Sequence, residues 1–531
     1  MNSFTAIFRN CYLRSLIRNQ VFRDKIIRIP NIEYLDDNQK YLSVFTNDDK
    51  LNYNISIKLS IKRGIGQTHQ FKNNKYKHIV NDLVIEFEKK QQIQYIDFSI
   101  AHDQVHRLSF YLEQSVKDIH GKLPDSIIDL NIGSCDLSYK ENVCLALEQV
   151  LSDLPNNLRV LKLSDLFSLL SSSRKIHLPS SIIDLQYTGT SRHLDRFVVD
   201  TPNKVLKSTC LKVESVEDLH WLRDKYWINN IYFNLQEATS QIPAHVRKIK
   251  SFSFNFVLGH DVVTVPAQLE SLEGKQLKSN QDPISKILKQ FLPHLKLLDL
   301  LEWDEKFEKE TFPQCLEHLK INQYDQDIDV GVIPSNLKTL ELDTFDQELN
   351  IGLLPNNITN LILSTFNQPL KASVLPTQLK QLELSRFNNT IEPNTLPISL
   401  RYLYLDEFSG SFEQVGKLDK LRELAVYTLN QSMVDVLTNV KKITIFLTNV
   451  SDNTSLTNTP ITDLCFVNYK WTPEILRVNF LPTTLVKLEL RNFDIQSIDT
   501  IPPSCLYLKY NYKKLNRDFV PKSVKWIKKF V

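Results

Sequence analysis

The sequence predicts a repeat solenoid: a curved parallel β-sheet with short extended or 3₁₀ return segments, preceded by a small N-terminal cap of helical or mixed α and β structure. Three observations lead to this prediction. Prolines recur every 21 residues from Pro313 to Pro397, apolar residues follow each proline at fixed offsets, and an aromatic residue stands 11 positions after each proline. Repetition at a fixed period of about 20 to 50 residues is typical of solenoids and related arrays.

The strand of each unit follows from the residues after the proline. Pro376, for example, is followed at +3, +6 and +8 by Leu379, Leu382 and Leu384. The last two alternate with polar residues, as in a strand with one buried face. Proline lacks an N–H and fixes φ, so it belongs in the turn before the strand. Twenty-one residues leave too little chain for a full crossover helix, which predicts an extended or 3₁₀ return.

A single unit is too small to fold alone. It buries about six apolar side chains, each contributing roughly 1.5 to 3 kcal/mol, whereas ordering its backbone costs about 1 to 2 kcal/mol per residue. The units must therefore stack. Stacking places the +6 and +8 residues in an inner core and the +11 aromatics in a second column: Tyr324, Phe345, Phe366, Phe387 and Phe408.

Composition excludes several classes of function. The 64 basic and 61 acidic residues leave a net charge of +3, too little to attract nucleic acid or an anionic membrane, so we expect no nucleic acid as a partner. No apolar run reaches the roughly 18 to 20 residues that span a bilayer. The seven cysteines are scattered without a CxxC pair, which favours buried reduced thiols and a cytoplasmic protein, with the nucleus as the alternative.

The chain is predicted to have three parts: an N-terminal helical segment (1–45), a strand-rich cap or degenerate repeats (46–120), and the solenoid (121–531, clearest over 312–412). Residues 53–62 alternate apolar and polar, as in a strand. Apolar residues recur at helical spacing near the start, which predicts an amphipathic helix. They are Phe4, Ile7, Phe8, Cys11, Tyr12 and Leu16. The bland interpretation is a capping helix; a docking helix of F-box type and membrane contact are the alternatives.

Candidate chemical sites are weak. His102 and His106 have the spacing of a helical metal-binding pair, but no third ligand follows, so exposed polar residues are expected. Gly64-Ile65-Gly66 lacks the third glycine of a dinucleotide loop, and Ser171–Ser173 fit an inter-coil loop better than a phosphorylation site. The lysine-rich C-terminal tail is expected to be a solvated cap of the last strand. We therefore predict no catalytic residue, cofactor or metal, and a protein that is not an enzyme.

The segment from Thr365 to Leu405 resembles the FNIP-repeat family, a leucine-rich-repeat relative named for an F-N-x-P signature. Phe366-Asn367-Gln368-Pro369 matches the signature fully, and the segments at 345–348 and 387–390 match in part. The start of the chain, Phe8 to Phe22, also resembles the basic-aromatic opening of many members. The resemblance implies a leucine-rich-repeat-like fold and a protein-interaction scaffold, with no catalytic residues to transfer.

The side chains flanking the +6 and +8 leucines should face solvent along the sheet. Most are ordinary polar residues, but several aromatic residues cluster with apolar and acidic neighbours on successive units. Exposed aromatics of this kind anchor protein interfaces. The candidate partner-binding residues are Ile362, Glu383, Tyr402, Tyr404, Asp406, Tyr427 and Phe446.

We expect other proteins as partners, and the oligomeric state stays open. The leading hypothesis is a non-enzymatic interaction scaffold. The alternative is a substrate receptor of a ubiquitin ligase, in which an F-box-like N-terminal region binds an adaptor and the solenoid holds the target.

Overall fold

The structure is a computed structural model, and it divides into two units, Met1–Leu235 and Gln236–Val531. Each unit is described by itself. The described residues are 10–62, 65–86, 95–112, 116, 118–134, 145–167, 169, 174–235, 242–251, 255–258, 265–279, 283–511 and 515–529.

The first unit combines short helices with short parallel strands. Its helices are α1 (Cys11–Phe22), α2 (Ile32–Leu42), α3 (Asn47–Asn52), α4 (Ile65–Lys72), α5 (Leu145–Ser152), α6 (Ser191–Leu194) and α7 (Val216–Leu222). Its strands are β1 (Ile26–Ile29), β2 (Ser56–Lys62), β3 (Asp82–Glu86), β4 (Tyr95–Asp97), β5 (Arg107–Leu112), β6 (Asp118–His120), β7 (Asp129–Ser134), β8 (Val160–Leu163), β9 (Ile176–His177), β10 (Asp184–Gln186), β11 (Thr188–Gly189), β12 (Phe197–Val198), β13 (Leu206–Val213) and β14 (Ile228–Phe233).

A parallel ladder begins well before position 121. The order β1-β2-β3-β5-β7-β8-β10 forms one sheet, and β11, β13 and β14 continue the parallel pairing. The predicted strand at 53–62 is β2, whose alternate residues from Ile55 to Ile61 are buried. The pairing passes through both boundaries drawn from the sequence, at 45 and 120. Residues 46–120 therefore contribute strands to the same sheet as the residues on both sides of them.

The N-terminal helix packs through a face that the apolar pattern does not indicate. In α1 the buried residue is Asn19, while Cys11 and Tyr12, predicted for the apolar face, are exposed. Asn19 donates to Asp49 at 2.5 Å, and the Arg18 guanidinium lies 4.9 Å from the centre of the Phe45 ring. Polar contacts hold this helix because its neighbour α3 presents a carboxylate. Phe4, Ile7 and Phe8 lie outside the described residues.

The second unit is a longer array of the same kind, with one helix of eight residues, α8 (Ile284–Phe291), and a shorter one, α9 (Gln431–Asp435). Its strands are β15 (Lys248–Lys250), β16 (Asn255–Leu258), β17 (Ser271–Ser279), β18 (Leu297–Glu302), β19 (His318–Gln323), β20 (Thr339–Leu342), β21 (Asn360–Ile362), β22 (Gln381–Glu383), β23 (Tyr402–Leu405), β24 (Glu423–Leu429), β25 (Lys442–Val450), β26 (Asp463–Asn468), β27 (Glu474–Ile475), β28 (Lys487–Arg491), β29 (Phe493–Asp494), β30 (Tyr507–Tyr510) and β31 (Trp526–Lys529).

In this unit the repeat sets both the sheet and the core. Strands β17 to β26 pair in parallel in chain order, followed by β28, β30 and β31. Residues 21 apart face each other, as in Leu361 opposite Leu382 and Leu382 opposite Leu403. The +11 aromatics form the expected second column: Phe366 and Phe387 stack at 6.3 Å between ring centroids, and Phe387 and Phe408 at 5.6 Å. The predicted leucine-rich-repeat-like solenoid is confirmed.

Hydrogen bonds in the turns explain why a proline precedes each strand and why a residue with a side-chain oxygen follows each aromatic residue. The carbonyl of Pro376 accepts a hydrogen bond from the Leu379 N–H at 3.1 Å, and Pro397 does the same for Leu400. Beyond the aromatic column, the side-chain oxygen at +12 accepts the N–H of the same position in the next coil. These bonds form a column: Asp346 to Asp325 at 2.8 Å, Asn367 to Asp346 at 2.7 Å, Asn388 to Asn367 at 2.9 Å and Ser409 to Asn388 at 3.0 Å.

Some return segments differ from the expectation. Extended and turn-like returns hold through residues 303–412, and short 3₁₀ helices occur at Ile498–Thr500 and Arg517–Phe519. In contrast, α5, α7, α8 and α9 place short α-helices in returns. One or two helical turns fit in a coil where a complete crossover helix does not, because each residue advances a helix by only about 1.5 Å.

Several polar predictions need correction. His106 is buried rather than exposed, and neither it nor His102 lies in a helix. Of the five described cysteines, all free, Cys505 is buried while Cys11 is exposed. Lys522, Lys525 and Lys528 are exposed around the edge strand β31, as expected. Gly64, Cys135, Cys144 and Ser171–Ser173 lie outside the described residues. No helix in the described ranges is both long and apolar enough to cross a membrane.

Candidate functional site

The aromatic residues singled out from the sequence lie on the solvent face of β21 to β25. Two rows cross these strands. One row contains Ile362, Glu383, Tyr404, Ala425 and Phe446, each opposite the next in register. The other contains Gln381, Tyr402, Glu423 and Thr444. Residues two positions apart on a strand point to the same face, and each residue advances the strand by about 3.3 Å, so the two rows lie about 7 Å apart.

Tyr404 is at the centre of this surface. Its phenol donates a hydrogen bond to Glu423 Oε2 at 2.5 Å, which ties β23 to β24 between the two rows. Burial and this carboxylate raise the pKa of the Tyr404 phenol above its ordinary value. The phenol therefore remains protonated, and the half-buried Tyr404 side chain is anchored through it.

A further aromatic residue, Tyr469, belongs to the same surface and was missed by the sequence analysis. The ring of Tyr469 stacks on Phe446, with centroids 5.8 Å apart and planes 11° apart. Tyr469 is 60% exposed, and Trp471, two residues later in the same loop, is fully exposed. Both follow β26 instead of flanking its buried positions, so the repeat frame did not include them. The pair Tyr469 and Trp471 in a polar loop was the available signal.

The surface is acidic at the carboxyl ends of its strands. Glu383 pairs in register with Tyr404, and Asp406 directly follows β23. Burial, and then the nearby charges of Asp406, Glu341 and Asp343, raise the pKa of the Glu383 carboxyl. Burial, followed by Asp406 and Glu423, raises the pKa of the Tyr469 phenol. The same carboxylates therefore act on aromatic residues from different strands.

A groove of about 750 Å³ adjoins this surface on the side where the strands begin, and Tyr402 and Glu423 are among its lining residues. Two of its lysines are paired with acids, Lys442 with Asp463 at 3.3 Å and Lys487 with Glu489 at 2.9 Å, and Lys509, beyond the lining, also pairs with Glu489 at 3.2 Å. Arg401, Lys420, Arg422 and Lys441 line the same groove, which therefore has six basic and four acidic lining residues.

Most of the predicted partner-binding residues come together. Asp406 and Tyr427 are exposed, whereas Ile362, Glu383, Tyr402, Tyr404 and Phe446 are half-buried. Ala425, expected to face solvent, is buried at 1% exposure. Its short side chain lies in register between Tyr404 and Phe446, whose larger rings cover it. We name the surface formed by Tyr402, Tyr404, Tyr427, Phe446, Tyr469, Glu383, Asp406 and Glu423 the aromatic–acidic patch.

The histidines predicted as a weak metal candidate form no such site. His106 Nδ1 lies 3.4 Å from Asn81 Nδ2, and burial lowers the pKa of both His102 and His106 to about 4. Within the described ranges, no group of three or more His, Cys, Asp or Glu residues is arranged to hold a metal ion.

Comparison with known proteins supports the repeat assignment. The FNIP Repeat family profile matches residues 303–344 and 345–386. No curated protein sequence is significantly similar to the chain.

Three solved structures are similar to the chain. CroV588, a circular LRR protein, is 17% identical (88% of this chain, 69% of that chain, TM-score 0.46). YopM from Yersinia enterocolitica WA-314 is 15% identical (83% and 92%, TM-score 0.33). The mouse RP105/MD-1 complex contributes a chain 11% identical (88% and 77%, TM-score 0.37).

Proposed function

The chain carries FNIP repeats over residues 303–386, and from that premise we propose that it is a non-enzymatic interaction scaffold that binds another protein through the aromatic–acidic patch. Leucine-rich-type repeats generally serve protein–protein interaction, because a long array of parallel strands presents an extended surface and needs few residues for each strand. Within that surface, we assign the binding energy to the aromatic–acidic patch.

The observation that carries the proposal is the grouping of aromatic side chains on one solvent face. Tyr427 is 42% exposed and Tyr469 is 60% exposed, beside the half-buried Tyr402, Tyr404 and Phe446. Tyrosine combines a large apolar ring with a polar end and loses little conformational entropy on binding. The rings are also preorganised, since Tyr404 is bonded to Glu423 and Tyr469 is stacked on Phe446. Preorganised aromatics are the usual anchors of interfaces, each costing about 2 kcal/mol or more when truncated.

The test compares proteins captured by the wild-type chain with those captured by Tyr402→Ala/Tyr404→Ala. We expect the variant to lose specific partners in affinity purification with mass spectrometry. A matched control removes two exposed aromatics elsewhere, Tyr226 and Trp526, which are 60% and 68% exposed. Equal capture by the patch variant and wild type, with unchanged thermal stability, would reject the proposal.

The N-terminal helices favour a second candidate. Leu13, Ile17 and Val21 lie four residues apart along α1 and are 36%, 54% and 63% exposed, an apolar stripe facing away from the Asn19 contact. Such a stripe is typical of a helix that docks into a partner's groove. This supports the alternative that residues near the N-terminus bind an adaptor, as in a ubiquitin ligase substrate receptor.

The adaptor hypothesis is tested with Ile17→Asp/Val21→Asp against Gln20→Asp, an exposed polar position on the same helix. The hypothesis predicts that ligase components copurify with wild type and the control but not with the stripe variant. Absence of ligase components from all three samples would remove its basis.

A further inference from the structure

We propose that the partner segment bound by the aromatic–acidic patch is cationic, and that a lysine or arginine side chain of that segment lies between the tyrosine rings and the carboxylates of Glu383 and Asp406. This inference rests on the proposed function and specifies the chemistry of the partner. It follows from the charges, the rings and the polarity of the strands.

Negative charge on Glu383, Asp406 and Glu423 is one reason to expect a cationic partner. Among the described residues, no lysine or arginine forms a salt bridge with Glu383, Asp406 or Glu423. Farther along the same face the structure supplies such partners, since Glu341 is paired with Lys320 and Asp463 lies 3.3 Å from Lys442. Like charges held together repel, and a partner cation relieves that repulsion.

These carboxylates change the pKa values of one another and of neighbouring groups. The Glu383 carboxyl has a raised pKa through burial and the charges of Asp406, Glu341 and Asp343, and Tyr469 responds to Asp406 and Glu423. Three elements, β22, β23 and the loop after β26, therefore share one negative field, which the Arg491 guanidinium at the end of β28 opposes at Tyr469. A positively charged group placed among them gains from all of them at once.

The aromatic rings of the patch are a second reason to expect a cationic partner. A cation over a tyrosine or phenylalanine face gains about 0.5 to 2 kcal/mol, with the larger values in desolvated sites. Tyr404 stands beside Glu383 in the row, and Phe446 and Tyr469 form a stacked pair on the other side of the small Ala425. Ala425, between Tyr404 and Phe446 in the row, is 1% exposed, so a partner side chain contacts the half-buried rings on either side of it and not the alanine itself.

The way charge changes along the strands is a third reason. Asp406 follows the end of β23, whereas Arg401 and Arg422 precede the starts of β23 and β24 and are exposed. Glu383 and Asp406 thus place acidic groups at the strand ends, while the basic Arg401 and Arg422 stand beside Glu423 at the strand starts. An extended partner segment crossing the strands is bound with its cationic residues at the strand ends, so the polarity selects one side of the segment for lysine or arginine.

The experiment uses the full-length chain and a library of random 12-residue peptides displayed on phage. Peptides are selected on the wild type and depleted on Tyr402→Ala/Tyr404→Ala. We expect the enriched peptides to carry a net positive charge and at least one lysine or arginine beside an apolar residue. Enrichment of neutral or acidic peptides overturns the cationic partner while leaving the binding surface in place. Absence of any peptide that distinguishes wild type from variant counts against both proposals.

A second measurement isolates the carboxylates. For the enriched peptides, Glu383→Gln/Asp406→Asn should raise the Kd about three- to tenfold, the effect of losing two exposed charge contacts. The control Glu308→Gln/Glu413→Gln removes the same charge at exposed turns away from the patch and should leave the Kd unchanged. Binding to wild type should also weaken as salt rises from 50 to 500 mM by about the same factor. An equal Kd for both double variants contradicts the proposal.

Discussion

Truncating Phe387 tests whether the aromatic column stabilises the repeats. The Phe387 side chain is fully buried, with its ring 6.3 Å from that of Phe366 and 5.6 Å from that of Phe408. Replacing a buried phenylalanine by alanine removes its transfer free energy and leaves a cavity, a loss of about 3 to 5 kcal/mol. We expect Phe387→Ala to lower the local unfolding free energy by that amount. Phe387→Leu, which retains most of the apolar volume, should cost about 1 to 1.5 kcal/mol.

Hydrogen exchange measured by mass spectrometry suits this test because repeat arrays open locally and not as one two-state unit. Peptides from the coils on either side of Phe387 should exchange faster, while those covering β2 (Ser56–Lys62), in the other unit, serve as an internal control and stay unchanged. A loss below about 1 kcal/mol in Phe387→Ala, the range of surface substitutions, would refute the stacked column.

Two further predictions concern polar groups. Asn388→Ala removes the acceptor of the Ser409 N–H at 3.0 Å and should cost about 0.5 to 1.5 kcal/mol by hydrogen exchange of the neighbouring turns, whereas Asn388→Asp, which keeps the acceptor as Asp346 does in the same column, should match wild type. Burial lowers the pKa of His106 to about 4, below its unfolded value near 6.5, so the unfolded chain binds more protons between these pH values and the stability of the first unit should fall as the pH drops from 6.5 to 4. His106→Asn should reduce that slope in thermal melts, and an unchanged slope would exclude His106 as its source.

The part of the fold that the sequence predicts best is the part with the strictest period. From Pro313 to Pro397 every unit has the same length, so each leucine and each phenylalanine occupies the same place in every coil. The ladder before residue 121 was less evident because β1, β2 and β3 are separated by helices and have no proline turn before them. The tertiary fold decides which strands pair. Where the number of residues between successive strands varies, the sequence does not reveal that pairing.

The solvent-facing positions of the candidate patch could be predicted because strand alternation fixes which side chains face solvent. Alternation does not show how neighbours shield each other, so the burial of Ala425 between Tyr404 and Phe446 appears only in the structure. The alternation also stops where the strand ends. Tyr469 was missed for this reason, because it lies in the loop after β26. The column of side-chain oxygens at Asp346, Asn367 and Asn388 likewise became clear only from the bonds between successive coils.

Site-specific photocrosslinking tests the central claim most directly. A photoreactive phenylalanine analogue at Tyr427, which is 42% exposed within the patch, should form covalent adducts with a partner protein in cells. The same analogue at Ile351, 69% exposed in a return turn away from the strands, should form none with that partner. Adducts of the same partner from Ile351 alone, or equally from both positions, would contradict binding through the aromatic–acidic patch.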